Sequence, residues 1–320
     1  MLPPVATMRA AVIDRFGGSD VLAVREVDRP NPGPGEVRVR IRASSINPVD
    51  CNIRRGELKR FMKLTLPHAL GIDLCGEVDA LGDGVTGFAV GDRVFGWLHL
   101  ESCGAWAEYA IAKAEWLVAA PSVLDDVAAA CLPGVSVTAV QGLRARAKIG
   151  KGQRVLVVGA SGGVGHVAVQ IARAMGAEVT AVCGTRNLEM VKRLGAAHVV
   201  DYTKEDVSRA GRYHAILDCV GQKTYWQWRP LLDRGGHHVI VPASPRHMLN
   251  AMLSRLDPGA HSHFFFSSPN RDDLAFVRDL AEAGKLIPTI SETLPLDRIA
   301  RGNELSDTGR TVGKIAITMS

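Results

Sequence analysis

Between residues 36 and 42 apolar and charged side chains alternate without a break: Val37, Val39 and Ile41 on one side, Arg38, Arg40 and Arg42 on the other. A period of two predicts a strand buried on one face, with its arginines in solvent. The turn cluster NPGPGE precedes it, and GEVDALG, GDRVFGW and AEYAIA repeat the pattern of short strands between turns. Residues 8–127 therefore read as an irregular β-rich body. From about residue 128 the period changes. RVLVVGA (154–160) is a continuous apolar run, as expected of a strand covered on both faces. Val164, Val167, Ala168, Ile171, Ala172 and Met175 then fall on one helix face, and Gly176 stands where a helix stop belongs. EVTAVC, HVVDY, HAILDCVG and HHVIVPA predict further strands, and LEMVKRLG a short helix among them. Strands alternating with helices imply an α/β layer structure, a doubly wound parallel sheet. Near the end, DDLAFVRDLAEAGKL predicts an amphipathic helix with Gly284 near its stop, and KIAITMS a last strand. This tail is expected to rejoin the β-rich body, giving one domain from 1–127 and 263–320 around a second at 128–262.

The strongest chemical signal is GASGGVG, 159–165, which follows the buried strand and opens the helix. That is the context of a Rossmann dinucleotide fingerprint. Ala160 stands at its first glycine position, with Gly162 and Gly165 in place. Gly162 would let the backbone approach a pyrophosphate, Gly165 would let helix and strand pack closely, and the helix start from Ser161 through Gly163 and Val164 would face the phosphates. The same letters fit a hydrolase elbow, G-x-S-x-G, with Ser161, Asp218 and His261 in chain order. Gly165 and the regular strand–helix repeat after the motif argue against it. At the end of the second strand the loop reads VCGTRN, without Asp or Glu. An NAD site usually places an acid there for the ribose 2′-hydroxyl. Gly184, Thr185, Arg186 and Asn187 offer a cation and hydrogen bonds instead, which favours NADPH. A plainer role for Asn187 is to cap the next helix.

Composition narrows the class. The chain has 320 residues, enough for two domains, with 47% hydrophobic and 22% charged residues, as in soluble globular proteins. No apolar run approaches the roughly 20 residues of a membrane span. The net charge of +5 is spread along the chain, which excludes a nucleic-acid patch. MLPPVATMRAAVIDRFG lacks a basic segment followed by an apolar core, so no secretory signal is expected, and Met8 is an alternative start with residues 1–7 as an extension. Six scattered cysteines, Cys51, Cys75, Cys103, Cys131, Cys183 and Cys219, contain no C-x-x-C and predict reduced thiols in the cytoplasm. His237 and His238, being adjacent, cannot share an ion on a strand. His261 and His263 have no carboxylate or thiol motif beside them. GRTVGKI (309–315) is one residue short of a phosphate loop and lacks the Ser/Thr after Lys314.

The segments MRAAVIDRFG, SSINPVDCNIRRG, LGIDLCGEV, VGDRVFGW, GAWAEYAI, LPGVSVTAVQGL, GASGGVGHVAVQIARAMGAEV, LGAAHVVDY and GKIAIT run in order over nearly the whole chain. Together they resemble the medium-chain dehydrogenase/reductases, in the zinc-independent quinone oxidoreductase branch. The resemblance implies a GroES-like catalytic domain built from both chain ends around a Rossmann domain, with cofactor and substrate meeting in the cleft. Zinc members carry a ligand Cys three residues before the Asp of SSINPVD, where this chain has Asn47. They carry Gly-His-Glu where it has Gly71-Ile72-Asp73. Cys51 is out of register with the ligand and reads as packing, with a redox role as the alternative. The resemblance places Asn47 and Thr138 near the nicotinamide, with Asp50 holding the loop. It puts Gly221 at the ribose and Tyr202 at the adenosine phosphate, and lets FFF (264–266) either close over the nicotinamide or serve as core. It implies a homodimer joined at the sheet edges. The expected activity is NADPH-dependent hydride transfer to a small-molecule quinone or α,β-unsaturated carbonyl, with no metal. Enoyl thioester reductases place a Tyr after Gly56, where this chain has Glu57 and Leu58. Some relatives of the branch are non-enzymatic NADPH-binding proteins.

Overall fold

The computed structural model describes residues 6–60, 62–209, 211–242 and 244–319. Residues 1–5, most of the segment before Met8, lie outside them, as do Ala243 and Ser320 at the ends of two expected strands. The chain divides into two compact units: Met1–Gly134 with Pro269–Glu282 and Pro288–Ser320, and Val135–Ser268 with Ala283–Ile287.

In the second unit six strands run parallel in the spatial order His198–Asp201, Glu178–Cys183, Arg154–Val158, Tyr213–Asp218, Leu232–Ile240, Ala260–Phe264. Numbered along the chain this is 3-2-1-4-5-6, the doubly wound Rossmann order. Strand Arg154–Val158 sits at the centre with Val155, Leu156 and Val157 fully buried, which explains its unbroken apolar run. Helix Gly163–Ala174 buries Val167, Ala168, Ile171 and Ala172 and ends at Gly176, whose φ of 84° takes the left-handed stop.

The sixth strand, Ala260–Phe264, was not expected, and the anticipated boundary at 262/263 cuts through it. Its residues AHSHF carry no strong β signal, and register with Leu232–Ile240 defines it. At the earlier boundary, residues 128–134 stay with the first unit, where the Gly134 N–H donates to Asp73 Oδ1 at 2.7 Å. Segment 283–287 returns to the second unit through Gln170, whose amide exchanges two hydrogen bonds with the Ile287 backbone.

In the first unit the long strand Glu36–Ile46 is the hub of a seven-stranded sheet. Its first half pairs with Tyr109–Lys113, its second with Lys314–Thr318, and one flank with Asp73–Leu81. Val37, Val39 and Ile41 are buried as the alternation predicts. Arg38 departs from that expectation. It is 9% exposed, and its guanidinium donates to Asp79, the Pro30 carbonyl and Asn31. The register skips Asp79 on the partner strand, between the Arg38–Ala80 and Val39–Val78 pairs, while Val37, Val39 and Ile41 keep one face. Leu22–Asp28, Thr7–Ile13 and His68–Ala69 form a second, three-stranded sheet.

Candidate active site

Residues 159–165 make the expected strand–turn–helix, but the turn glycine is Gly159 rather than a residue at position 160. Its φ is 77°, and a Cβ there would lie 2.6 Å from Val220 Cγ2. Ala160 is fully buried and its N–H donates to the Val182 carbonyl at 2.9 Å. That bond anchors the turn. Gly165 packs as predicted, since a Cβ would stand 2.1 Å from the Gly159 carbonyl oxygen. The first-turn N–H groups of Gly163, Val164 and Gly165 precede any helical acceptor and form the positive end of the helix dipole. Ser161 and Gly162 lead into them, half-buried.

Two neighbouring strand ends complete this rim. Tyr202, 63% exposed, lies along Gly184, where a Cβ would come within 3.4 Å of its hydroxyl. Thr185 donates to Asp201 Oδ2 at 2.6 Å, and Thr203 donates to Oδ1 through both its N–H and its hydroxyl. These hydrogen bonds, Thr185 first, hold the Asp201 carboxyl below the usual range. Asp201 was not anticipated: it ends the third strand, whereas the search for an acid covered the second. Arg186 is exposed, and Asn187 makes no side-chain cap bond, so capping does not account for it. On the other side of the switch point Gly221 has φ 73° and Pro242 3.1 Å from where a Cβ would stand. Asp218 fixes that corner, accepting from the Val220 and Gly221 N–H groups and from Trp228 Nε1. Its carboxylate is thus committed, and His261 lies on the edge strand in ring contact with His237. The hydrolase triad Ser161–Asp218–His261 is not assembled among the described residues.

Thr138 is 8% exposed and donates to Ser267 Oγ at 2.9 Å. Gln141 ties the same loop down through Ser268. Of the three phenylalanines before it, Phe265 is core and Phe266 is 74% exposed.

In the first unit Asn47 begins helix Pro48–Arg55, and its N–H donates to Asp50 Oδ2 at 2.8 Å. Pairing of Ile315 with Ile46 brings Lys314 beside Asn47, and pairing of Ser44 with Leu74 brings Asp73 to the same place. The result is a buried polar cluster. Asp73 Oδ2 accepts from Ser45 Oγ at 2.6 Å and Asn47 Nδ2 at 2.8 Å. Lys314 Nζ donates to Asn47 Oδ1 at 2.5 Å, the Ile46 carbonyl at 3.1 Å and Asp73 Oδ2 at 3.3 Å. Lys314 and Asp73 are 2% and 0% exposed. Asp50 is fully buried and its Oδ1 has no partner among the described residues; burial pushes its carboxyl up to about 7.

Sequence reasoning had Lys314 in view only as part of a failed phosphate loop. Gly313 shows why the segment is not one: at φ 61°, a Cβ there would stand 2.0 Å from the Thr289 carbonyl oxygen, as an edge packed into the sheet requires. Cys51 is 1% exposed, its Sγ lies 3.4 Å from Asn303 Oδ1, and burial pushes the thiol up to about 11. It is a packing residue and a poor nucleophile. His263 shares a 3.0 Å hydrogen bond with His237, and burial lowers it to about 4. His238 turns to the opposite face and to Ser262.

Two family models match: an alcohol dehydrogenase GroES-like domain over residues 33–122 and a zinc-binding dehydrogenase over 194–317. A chloroplast envelope quinone oxidoreductase homolog from Arabidopsis thaliana is 33% identical over 312 residues, covering 94% of this chain and 95% of that one. A quinone oxidoreductase from Lama guanicoe is 32% identical over 327 residues, 98% of each. The structure of the quinone oxidoreductase from Coxiella burnetii superposes with a TM-score of 0.89 at 29% identity, covering 98% of this chain and all of that one. The chain belongs to the medium-chain dehydrogenase/reductase family, in its quinone oxidoreductase branch.

The zinc in the second family description does not fit these residues. At the two ligand positions stand Asn47 and the buried, apolar Ile72, with Asp73 beside them, and the space between Asn47 and Asp73 receives the Lys314 ammonium. A divalent ion there would face a fixed positive charge and too few donors.

Proposed function

We propose that this chain is an NADPH-dependent oxidoreductase that transfers hydride to a quinone or an α,β-unsaturated carbonyl without a metal. The observation that carries this reading is the Lys314–Asn47–Asp73 cluster, an ammonium and an amide where zinc-dependent members carry ligands. Alcohol oxidation needs a Lewis acid or strong base to hold an alkoxide. A conjugated acceptor takes hydride at carbon and needs only donors for the charge that appears on oxygen.

NADPH, when bound, supplies the hydride. The Gly163–Gly165 N–H groups take the pyrophosphate, Gly221 admits the ribose, and Arg186 with Thr185 and Tyr202 takes the 2′-phosphate. Thr185 would reach this phosphate through its backbone N–H, because its hydroxyl hydrogen is donated to Asp201. The family resemblance implies Thr138 and Asn47 near the nicotinamide, where Asn47 would offer an N–H to the acceptor. The Glu57–Leu58 pair after Gly56 favours this over enoyl thioester reduction, which needs a tyrosine there.

We also place the protein in the cytoplasm as a homodimer. Supporting the cytoplasm, Cys51, Cys75, Cys103, Cys131, Cys183 and Cys219 are all free thiols. Supporting the dimer, Ala260–Phe264 is an outer strand of its sheet, and the segment just before it leaves Leu249, Met252 and Leu256 exposed. Light scattering at twice the 34.3 kDa chain mass supports the dimer, and a monomer mass refutes it. NADPH oxidation with a quinone panel, an alkenal panel and an enoyl thioester tests the activity. Turnover with the first or second supports the reading; turnover only with the thioester, or none, overturns it.

A further inference from the structure

Lys314 lies closest to the amide of Asn47, at 2.5 Å, and only 3.3 Å from the carboxylate of Asp73. A lysine buried simply to neutralise Asp73 would show the reverse. Asp73 is already served by Ser45, Asn47 and the Gly134 N–H, at 2.6, 2.8 and 2.7 Å. The contacts also fix the amide's orientation. An ammonium only donates and a carboxylate only accepts, so Oδ1 must face Lys314 and one Nδ2–H must face Asp73. The second Nδ2–H is left over. An amide whose oxygen accepts from a buried cation becomes a stronger donor through nitrogen, because hydrogen bonds in a chain polarise one another.

We propose that Lys314 is a positioning residue that clamps and polarises Asn47, so that the remaining Asn47 Nδ2–H is the donor for the oxygen of the hydride acceptor. This rests on the hydride-transfer reading above and says which residue supplies its electrophilic help. The step balances without Lys314 changing protonation. Hydride leaves NADPH for the acceptor carbon, the electron pair of the conjugated bond moves to oxygen, Asn47 stabilises that charge, and a solvent proton neutralises it.

The test is a graded series of quinones and enones of falling electron affinity, with kcat measured for wild type and Lys314→Met and NADPH affinity measured separately by fluorescence. A weakened donor matters most for the poorest acceptors. The variant is expected to lose about tenfold with the best acceptors and about a hundredfold with the worst, so that log kcat falls more steeply along the series, with NADPH affinity within about twofold of wild type. A purely structural lysine would shift every acceptor equally, and a parallel line or an unchanged one overturns the proposal. If Lys314→Met does not fold, Asn47→Asp serves: it keeps an acceptor for the ammonium and loses the donor. It should steepen the same plot, and an unchanged slope overturns the proposal. A wild type inert with the whole series removes the hydride-transfer reading and this inference with it. A wild type active beside a parallel variant line removes this inference alone.

Discussion

The two units build their sites in opposite ways. The dinucleotide rim of the second unit is mostly backbone: a glycine turn, the start of a helix and the ends of neighbouring parallel strands. The polar cluster of the first unit is side chains from positions 45, 47, 73 and 314, carried to one point by strand register. A backbone site tolerates changes of charge and fails on added volume. A buried side-chain cluster tolerates changes of volume at its rim and fails on a lost charge.

Breaking the charge should have the largest effect. Asp73→Ala leaves the Lys314 ammonium buried without its counter-ion, and removing one partner of a buried pair costs about 3–5 kcal/mol. Chemical denaturation should show that loss, while Asp73→Asn, which still accepts a hydrogen bond, loses less. Equal losses would mean that charge is not what holds the cluster.

Adding volume in the other unit comes next. Gly165→Ala sets a methyl group against the Gly159 carbonyl, and overpacking of this kind costs about 1–3 kcal/mol. Calorimetric NADPH affinity should fall with it, whereas Asp73→Asn should leave NADPH affinity unchanged. If both variants weaken NADPH equally, the division of labour is wrong. Arg186→Ala should raise the Kd for NADPH about tenfold through loss of one charge-assisted contact worth about 1.5 kcal/mol, and leave NADH unchanged. A parallel loss for NADH would remove the 2′-phosphate role.

A pH-dependent step belongs to Asp50, whose carboxyl titrates near 7 in the fold and near 3.8 when the chain is unfolded. Between those values the folded chain keeps a proton that the unfolded chain has released. Stability therefore falls as pH rises through this window, by about 1.4 kcal/mol per pH unit at most, and levels off above it. His263, lowered to about 4, acts in the opposite sense over part of the range. The difference between wild type and Asp50→Asn in denaturation at pH 5, 6, 7 and 8 isolates Asp50. A flat difference would contradict its buried, proton-bearing state.

What could be read in the sequence follows the same divide. The strand, turn and helix of 154–175 were legible because their signals are local: an apolar run, glycines at fixed spacing and a helical stripe. Even there Gly159 was overlooked, since the motif template begins one residue later. Strand Ala260–Phe264 was missed because its histidines and serine gain strand character only from the neighbour they pair with. Arg38 looked solvated because alternation cannot foresee Asp79, Asn31 and the Pro30 carbonyl gathering around its guanidinium. Asn47 and Ile72, with Asp73 beside them, were recognisable as departures from a metal-ligand set. Lys314 was not recognisable as their partner, because 241 residues separate it from Asp73 and only antiparallel pairing across the hub strand joins them.

The central claim is that hydride transfer here needs no metal, and it is tested most directly by NADPH-driven quinone or enone reduction before and after exhaustive chelation, with metal content measured on the same sample. The account predicts equal rates and no stoichiometric zinc. A rate abolished by the chelator and restored by one equivalent of zinc would contradict it.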